Sequence, residues 1–123
     1  MRDDDLLRTS TGLFRGTAMV SLEGELDIAT APLVADAVVR ALAARPRHLD
    51  LDVTALTFCD VAGLRALGQA RRIANDHHAE FHLVGVRPRL RRILALLRAT
   101  DLLPSPSVPA EGRVGAVTPE PLG

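Results

Sequence analysis

The sequence predicts an α/β fold in which a mixed sheet of four to five strands has its helices packed on one face. Segments with the period-two alternation of strands are followed by segments with the i, i+3, i+4 spacing of amphipathic helices, in the order β-β-α-β-α-β-α. Helices that join successive strands imply right-handed parallel crossovers. One predicted strand keeps a polar face, so the helices are expected to cover only the opposite face of the sheet.

The first two strands are predicted on either side of a tight turn. Residues 6–15 form a short edge strand, and the chain then turns at Arg15-Gly16. Residues 17–23 alternate Ala18, Val20 and Leu22 with Thr17, Met19, Ser21 and Glu23. This alternation is typical of a half-buried strand. The segment 24–27, Gly-Glu-Leu-Asp, is expected to carry the chain out of the sheet.

A helix and a third strand follow. Thr30 is expected to cap a helix whose first turn tolerates Pro32 and which ends before Pro46. Its apolar stripe is formed by Val34, Ala37, Val38, Ala41 and Leu42. Residues 48–53 alternate again, with Leu49, Leu51 and Val53 on one face and Asp50 and Asp52 on the other. One face of the sheet is therefore expected to meet water.

The stretch from 56 to 67 joins this strand to a second helix, and the working surface is expected at the junction. Asp60 is the predicted N-cap, since its carboxylate can accept from backbone N–H groups of the first turn and complement the positive helix end. Val61 is the first predicted helical residue. Gly63 costs roughly 1 kcal/mol in helix propensity. A glycine there indicates that either the sheet or a partner approaches the backbone closely.

The remaining elements complete the predicted order. The second helix runs to about Asp76 on a stripe of Leu64, Leu67, Ala70 and Ala74. Residues 81–86 form a buried strand, and a third helix carrying Leu90, Ile93, Leu94 and Leu97 stops near Asp101. A short final strand is allowed at 102–108. The prediction is one domain over residues 1–103 and a Pro/Gly-rich, disordered tail over 104–123.

Composition limits the class of protein. A chain of 123 residues with 47% apolar content makes one domain. The formal net charge is zero and only three Phe can stack on bases, so direct nucleic-acid binding is not expected. No apolar run reaches the length of a membrane span, and the acidic start Met1–Asp5 is unlike a signal peptide. With Cys59 as the single cysteine, these features predict a cytoplasmic location.

Two groups of residues are of types found in reactive sites or metal-binding sites. Cys59 would be a nucleophile or redox sensor only with a histidine nearby, and a single cysteine at a strand end is usually a small buried residue. The other group is Asp76, His77, His78 and His82. Adjacent histidines at a helix end point about 100° apart, which favours a solvated helix end. The prediction is therefore that no metal is bound.

Two groups of charged residues could have a functional role but are explained at least equally well as solvated surface. A cluster of arginines makes the third helix basic, which suits an acidic partner or a solvated face equally: Arg87, Arg89, Arg91, Arg92 and Arg98. Glu25 and Asp27 could be paired carboxylates, but they lack the phosphate loop, metal spacing or third group that an enzyme needs. A surface acidic rim is favoured, and neither enzymatic activity nor a cofactor is expected.

Three motifs in this order and spacing resemble a known family. They are Val20–Pro32, which contains the Gly-Glu-Leu-Asp segment, then Leu49–Asp52, and then Phe58–Leu64. Together they are similar to the STAS domain of bacterial anti-sigma factor antagonists, over about residues 6 to 103. The resemblance implies a sheet with helices on one side. It also implies binding to an anti-sigma factor, a serine kinase of the histidine-kinase-like ATPase fold, and release of a sigma factor.

The chain departs from the family pattern at the helix start. In phosphorylated members a serine follows the aspartate that corresponds to Asp60, whereas Val61 and Ala62 have no hydroxyl. Val61 is thus a degenerate phosphoacceptor position, and the chain resembles a permanently unphosphorylated antagonist. The same loss suits an alternative, a STAS-type subunit of a lipid-transport ABC complex or a stressosome-like assembly. The predicted partner-binding residues are Glu25, Asp27, Thr30, Asp60, Val61, Ala62, Gly63, Leu64 and Arg65.

Overall fold

Four strands and three helices make up the part of the chain that the computed structural model describes, residues 6–97. The strands are β1 (Leu7–Phe14), β2 (Thr17–Leu26), β3 (His48–Cys59) and β4 (Glu80–Val84). The helices are α1 (Ala31–Leu42), α2 (Val61–Asp76) and α3 (Pro88–Leu96). The order β-β-α-β-α-β-α confirms the predicted α/β fold. The predictions for Arg98, the strand at 102–108 and the tail at 104–123 lie outside the described residues.

The sheet has the order β1-β2-β3-β4 and is mixed. β1 and β2 form an antiparallel hairpin, while β2 with β3 and β3 with β4 are parallel pairs joined by α1 and α2. At the hairpin turn, Arg15 and Gly16 have φ values of +52° and +80°. Two successive positive φ values match the tight turns that suit the twist of paired strands. The turn predicted at Arg15-Gly16 is confirmed.

One face of the sheet carries the hydrophobic core. Side chains of β2 and β3 on this face pack with the buried faces of all three helices in a single cluster, which agrees with helices on one side. Its largest fully buried apolar side chains are Leu22, Leu26, Leu49, Leu51, Leu67, Leu94, Val20, Val34, Val38 and Val53. None of the three helices in residues 6–97 has the length and apolar character needed to cross a membrane.

The opposite face, called the open face below, is polar along the first half of β3 and at the paired residues 80–82 of β4. It carries His48, Asp50 and Asp52 from β3 and Glu80 and His82 from β4. The parallel register pairs His48 with Glu80 and Asp50 with His82. The prediction that one face meets water therefore holds on these strands.

Both central strands run further than predicted. β2 continues to Leu26, so the prediction that residues 24–27 leave the sheet is wrong, and β3 continues past Val53 to Cys59. The β2–β3 pairing shifts register twice, and each shift adds one residue to β3. These bulges change the spacing of core-facing positions in β3 from two to three, giving Val53, Leu56 and Cys59. Alternation therefore stops at Val53 although the strand does not.

The C-terminal elements are shorter than predicted. α3 ends at Leu96 rather than near Asp101, and Leu97 is 51% exposed instead of completing the apolar stripe. β4 ends at Val84 because Gly85, with φ of +75°, turns the chain. β4 buries Leu83, whereas Phe81 is only half-buried, as befits the edge strand of the described sheet.

Candidate functional site

Helix α2 begins one residue after β3 ends, and Asp60 is the residue between them. Its backbone is extended, and its Oδ1 accepts a hydrogen bond of 2.9 Å from the Gly63 N–H. Its own N–H donates to the carbonyl of Leu26 at 3.2 Å, which ties the helix start to the end of β2. The predictions that Asp60 is the N-cap and Val61 the first helical residue are confirmed.

Gly63 lies against the sheet. A Cβ at this position would lie 2.7 Å from the carbonyl oxygen of Leu26 and 2.9 Å from the Cys59 sulfur. Of the two close approaches that the sequence left open, the sheet is therefore the one present. Both Gly63 and the next residue, Leu64, are buried. They therefore fix the position of the helix start by packing on its inner side, toward the sheet.

Residues 27–30 form a hydrogen-bonded loop between β2 and α1. The Oδ1 of Asp27 accepts from the backbone N–H groups of Ala29 and Thr30, at 2.9 and 3.0 Å. The fully buried hydroxyl of Thr30 accepts from the Asp27 N–H and donates to the Glu25 carbonyl, both at 2.9 Å. Thr30 occupies the N-cap position of α1, as predicted, but its side chain makes no capping hydrogen bond to the helix. Its hydroxyl is used by the loop instead.

Removal of this hydroxyl should loosen the loop. We expect Thr30→Val, which keeps the shape of the side chain, to destabilise the fold by about 1 kcal/mol, because the Asp27 N–H and the Glu25 carbonyl lose their partner. Amide hydrogen exchange should show faster exchange at Asp27 in this variant. Thr30→Ser is the control, since it keeps the hydroxyl and should keep Asp27 protected. Equal protection in both variants would contradict this role for the hydroxyl.

The exposed part of the site is called the helix-tip surface and consists of Glu25, Asp27, Ile28, Asp60, Val61 and Arg65. Val61 and Ile28 are 52% and 78% exposed. Glu25 and Arg65 are exposed, whereas Asp27 and Asp60 are half-buried. Asp27, Ile28, Asp60 and Val61 lie at one end of the sheet because β2 and β3 are parallel and Leu26 pairs with Cys59 at their ends. Glu25 precedes Leu26 on β2, and Arg65 lies about one turn after Val61 on α2. Ile28 was missed because a single apolar residue in a loop gives no periodic signal.

Cys59 lies beneath this surface with a protonated thiol. Burial, and secondarily the charge of Asp60, raise the pKa of Cys59 to about 11. At neutral pH the thiolate is therefore scarce, and the thiolate is the form that reacts with electrophiles and binds metals. The structural interpretation of Cys59 is favoured over a nucleophile or redox sensor.

The histidines of residues 76–82 and the arginines of the α3 region lie on separate elements. His77 closes α2, where its Nδ1 lies 2.8 Å from the Ile73 carbonyl oxygen, and the exposed His78 follows it. His82 lies on β4, apart from that helix end. The arginines of the α3 region within the described residues are exposed: Arg87, Arg89, Arg91 and Arg92. They present a basic, solvated surface.

Comparisons with known proteins point to one family. Residues 11–104 match the family described as "Mlab, STAS domain". No curated protein matches the sequence. Among solved structures, an anti-sigma factor antagonist from Mycobacterium paratuberculosis is 27% identical, with a TM-score of 0.69, covering 85% of this chain and 88% of that one.

Two further solved structures share the fold. The phosphorylated Bacillus cell fate determinant SpoIIAA is 16% identical, with a TM-score of 0.60, covering 79% of this chain and 89% of that one. A sulfate transporter family protein from Wolinella succinogenes is 18% identical, with a TM-score of 0.64 and coverages of 76% and 75%. At these identities the likeness concerns the fold alone. Because the family match spans most of its length, the chain belongs to the STAS domain family.

Proposed function

We propose that this protein is an anti-sigma factor antagonist that binds an anti-sigma factor through the helix-tip surface and so releases a sigma factor. The observation that carries the proposal is the exposed apolar start of α2, where Val61 is 52% exposed at the position that the family resemblance assigns to serine in phosphorylated members. Similarity to an antagonist at 27% identity over 85% of the chain supports it. The proposed partner has the histidine-kinase-like ATPase fold, and the proposed location is the cytoplasm.

The chemistry of the helix-tip surface suits a protein partner. Val61 and Ile28 provide exposed apolar area, and Glu25 and Arg65 add exposed charges of both signs. Protein interfaces commonly have an apolar centre and a polar rim. The side chains of Asp60 and Asp27 hydrogen-bond to nearby backbone N–H groups, so they also hold the surface in shape before a partner arrives. Binding is therefore proposed to need little rearrangement of this chain.

The missing serine determines how binding is proposed to be regulated, because it removes the site at which phosphorylation would switch binding off. A phosphate at the start of α2 would be favoured by the positive helix end, and would add about −1.5 to −2 charges to the docking surface. Val61 and Ala62 cannot form a phosphate ester. The protein is therefore proposed to remain in its binding form whenever it is present, without a phosphorylation switch at this helix.

Incubation with a family kinase and ATP should leave residues 54–67 unmodified. The two hydroxyls in this segment belong to β3: Thr54 donates to Asp52 Oδ1 at 2.6 Å and Thr57 to the Gly24 carbonyl at 3.1 Å. Neither stands at the helix start. Phosphopeptide mass spectrometry measures the outcome, with Val61→Ser as the control that restores a hydroxyl and should accept phosphate. Stoichiometric phosphate on Thr57 of the parent would contradict the loss of switching.

A pull-down from the native cytoplasm tests the proposed function. The full chain is the bait, and the Val61→Asp variant is the matched control bait. The expected result is capture of a histidine-kinase-like ATPase by the parent and its loss in the variant. Purified ATPase bound to its sigma factor should then release the sigma factor when the parent protein is added. Capture of an ABC-type ATPase instead would overturn the proposal in favour of a subunit of a lipid-transport complex.

A further inference from the structure

Two histidines and a glutamate lie together on the open face, at the N-terminal end of β3. His48 is the first residue of β3, and Glu80 and His82 lie on β4. The Nδ1 of His48 is 3.6 Å from Oε1 of Glu80, and the Nε2 of His82 is 3.5 Å from Oε2 of Glu80. One ligand atom from each residue lies within 4.8 Å of the other two.

The pairing of two strands creates this cluster. His48 and Glu80 are direct partners in the parallel ladder, and His82 follows Glu80 by two residues. In a strand, residues two apart project from the same face, and directly opposed residues have neighbouring side chains. The backbone of β3 and β4 therefore holds all three side chains on one face. His77 and His78, which precede the strand, take no part.

We propose that His48, Glu80 and His82 form a binding site for a divalent transition-metal ion of the class of Zn²⁺, Co²⁺ or Ni²⁺. Two imidazoles and one carboxylate are a donor set that these ions prefer, whereas Mg²⁺ and Ca²⁺ prefer oxygen ligands throughout. Two ligands bound at 2.0–2.1 Å with tetrahedral angles are separated by about 3.3–3.4 Å. Each histidine lies near that separation from a different carboxylate oxygen of Glu80, His48 at 3.6 Å from Oε1 and His82 at 3.5 Å from Oε2.

The exposure of the cluster fits an ion that enters from solvent. The side chains of His48, Glu80 and His82 are 43%, 65% and 23% exposed. Three protein ligands leave a coordination position for water, as in zinc sites that are not closed. The helix-tip surface begins at the other end of β3, eleven residues further along the strand, from His48 to Cys59. The metal site is therefore independent of the proposed function.

Metal titration of the full chain tests the proposal. Addition of Co²⁺ should produce ligand-field absorption in the visible range that saturates at one equivalent, and Zn²⁺ should displace it. His48→Asn and His82→Asn should each weaken Co²⁺ binding at least tenfold. His77→Asn and Cys59→Ser are the matched controls, since each removes a potential ligand outside the cluster, and both should bind as the parent does.

A thermal melt without metal checks that the cluster variants fold. Added Zn²⁺ should raise the melting temperature of the parent and the controls but not that of His82→Asn, because only a folded site binds the ion. Absence of saturable binding would overturn the site, as would parent-like affinity in His48→Asn and His82→Asn. Loss of binding in His77→Asn or Cys59→Ser would place the metal elsewhere. These measurements need no partner protein, so they stand apart from the pull-down.

Discussion

Val61→Asp is expected to weaken partner binding at least a hundredfold while leaving the fold intact. Val61 is 52% exposed, so its replacement removes little packing. At the first position of α2 a carboxylate interacts favourably with the helix dipole, by about 0.3 to 1 kcal/mol. A partner that covers this position must desolvate an unpaired charge at a cost of several kcal/mol. A hundredfold change in affinity corresponds to about 2.7 kcal/mol.

A second valine supplies the control. Val39 on α1 is 50% exposed, nearly the same as Val61, and lies well beyond the start of its helix. Val39→Asp therefore introduces the same charge at the same exposure outside the helix-tip surface, and it should bind normally. Thermal melts and binding titrations with the purified partner give both readouts. Affinity within threefold of the parent for a folded Val61→Asp protein would move the interface elsewhere, and unfolding of that variant would make Val61 a structural residue.

Gly63→Ala is expected to lower the free energy of unfolding by about 1 to 3 kcal/mol, which is the cost of overpacking a well-filled site. The added Cβ would lie 2.7 Å from the Leu26 carbonyl oxygen, and a backbone atom of a central strand cannot swing aside as a flexible side chain can. The start of α2 would have to move away from β2. The variant should therefore also weaken binding through the helix-tip surface.

Gly68 lies on the same helix and provides the matched substitution. The nearest atom that a Cβ there would meet is Nη1 of Arg72 at 4.0 Å, so the space is open. Gly68→Ala should raise stability by up to about 1 kcal/mol through helix propensity alone. Urea unfolding of both variants measures the contrast. If Gly63→Ala were as stabilising as Gly68→Ala, the close contact between α2 and β2 would be refuted.

The features that the sequence predicted correctly are local ones. The N-cap at Asp60, the helix start at Val61 and the turn at Arg15-Gly16 each follow from residue types within one turn of the chain. The α1 and α2 stripes follow from apolar spacing within a single helix. The fold order then follows from the succession of these elements. For such features the nearest neighbours in sequence decide the structure.

The features that were missed depend on contacts between distant segments. The length of β2 and β3 depends on two bulges that exist only when the strands pair. Thr30 is a residue type that often caps a helix, but the fold buries its hydroxyl against the backbone of residues 25–27. The cluster of His48, Glu80 and His82 joins two strands that a whole helix separates in sequence. Period and propensity within one segment contain no information about these contacts.

The two extra residues of β3 limit how the chain length can change during evolution or in design. From the pair Ser21–Asp52 to the pair Leu26–Cys59, β2 advances five residues and β3 seven. Deleting one residue of β3 in this stretch would turn Cys59 toward the opposite face and aim the start of α2 at the wrong side of the sheet. Deleting two would remove both extra residues, so that β2 and β3 each advance five residues and Cys59 still faces the core opposite Leu26. Tolerated insertions and deletions between Asp52 and Cys59 should therefore occur in even numbers.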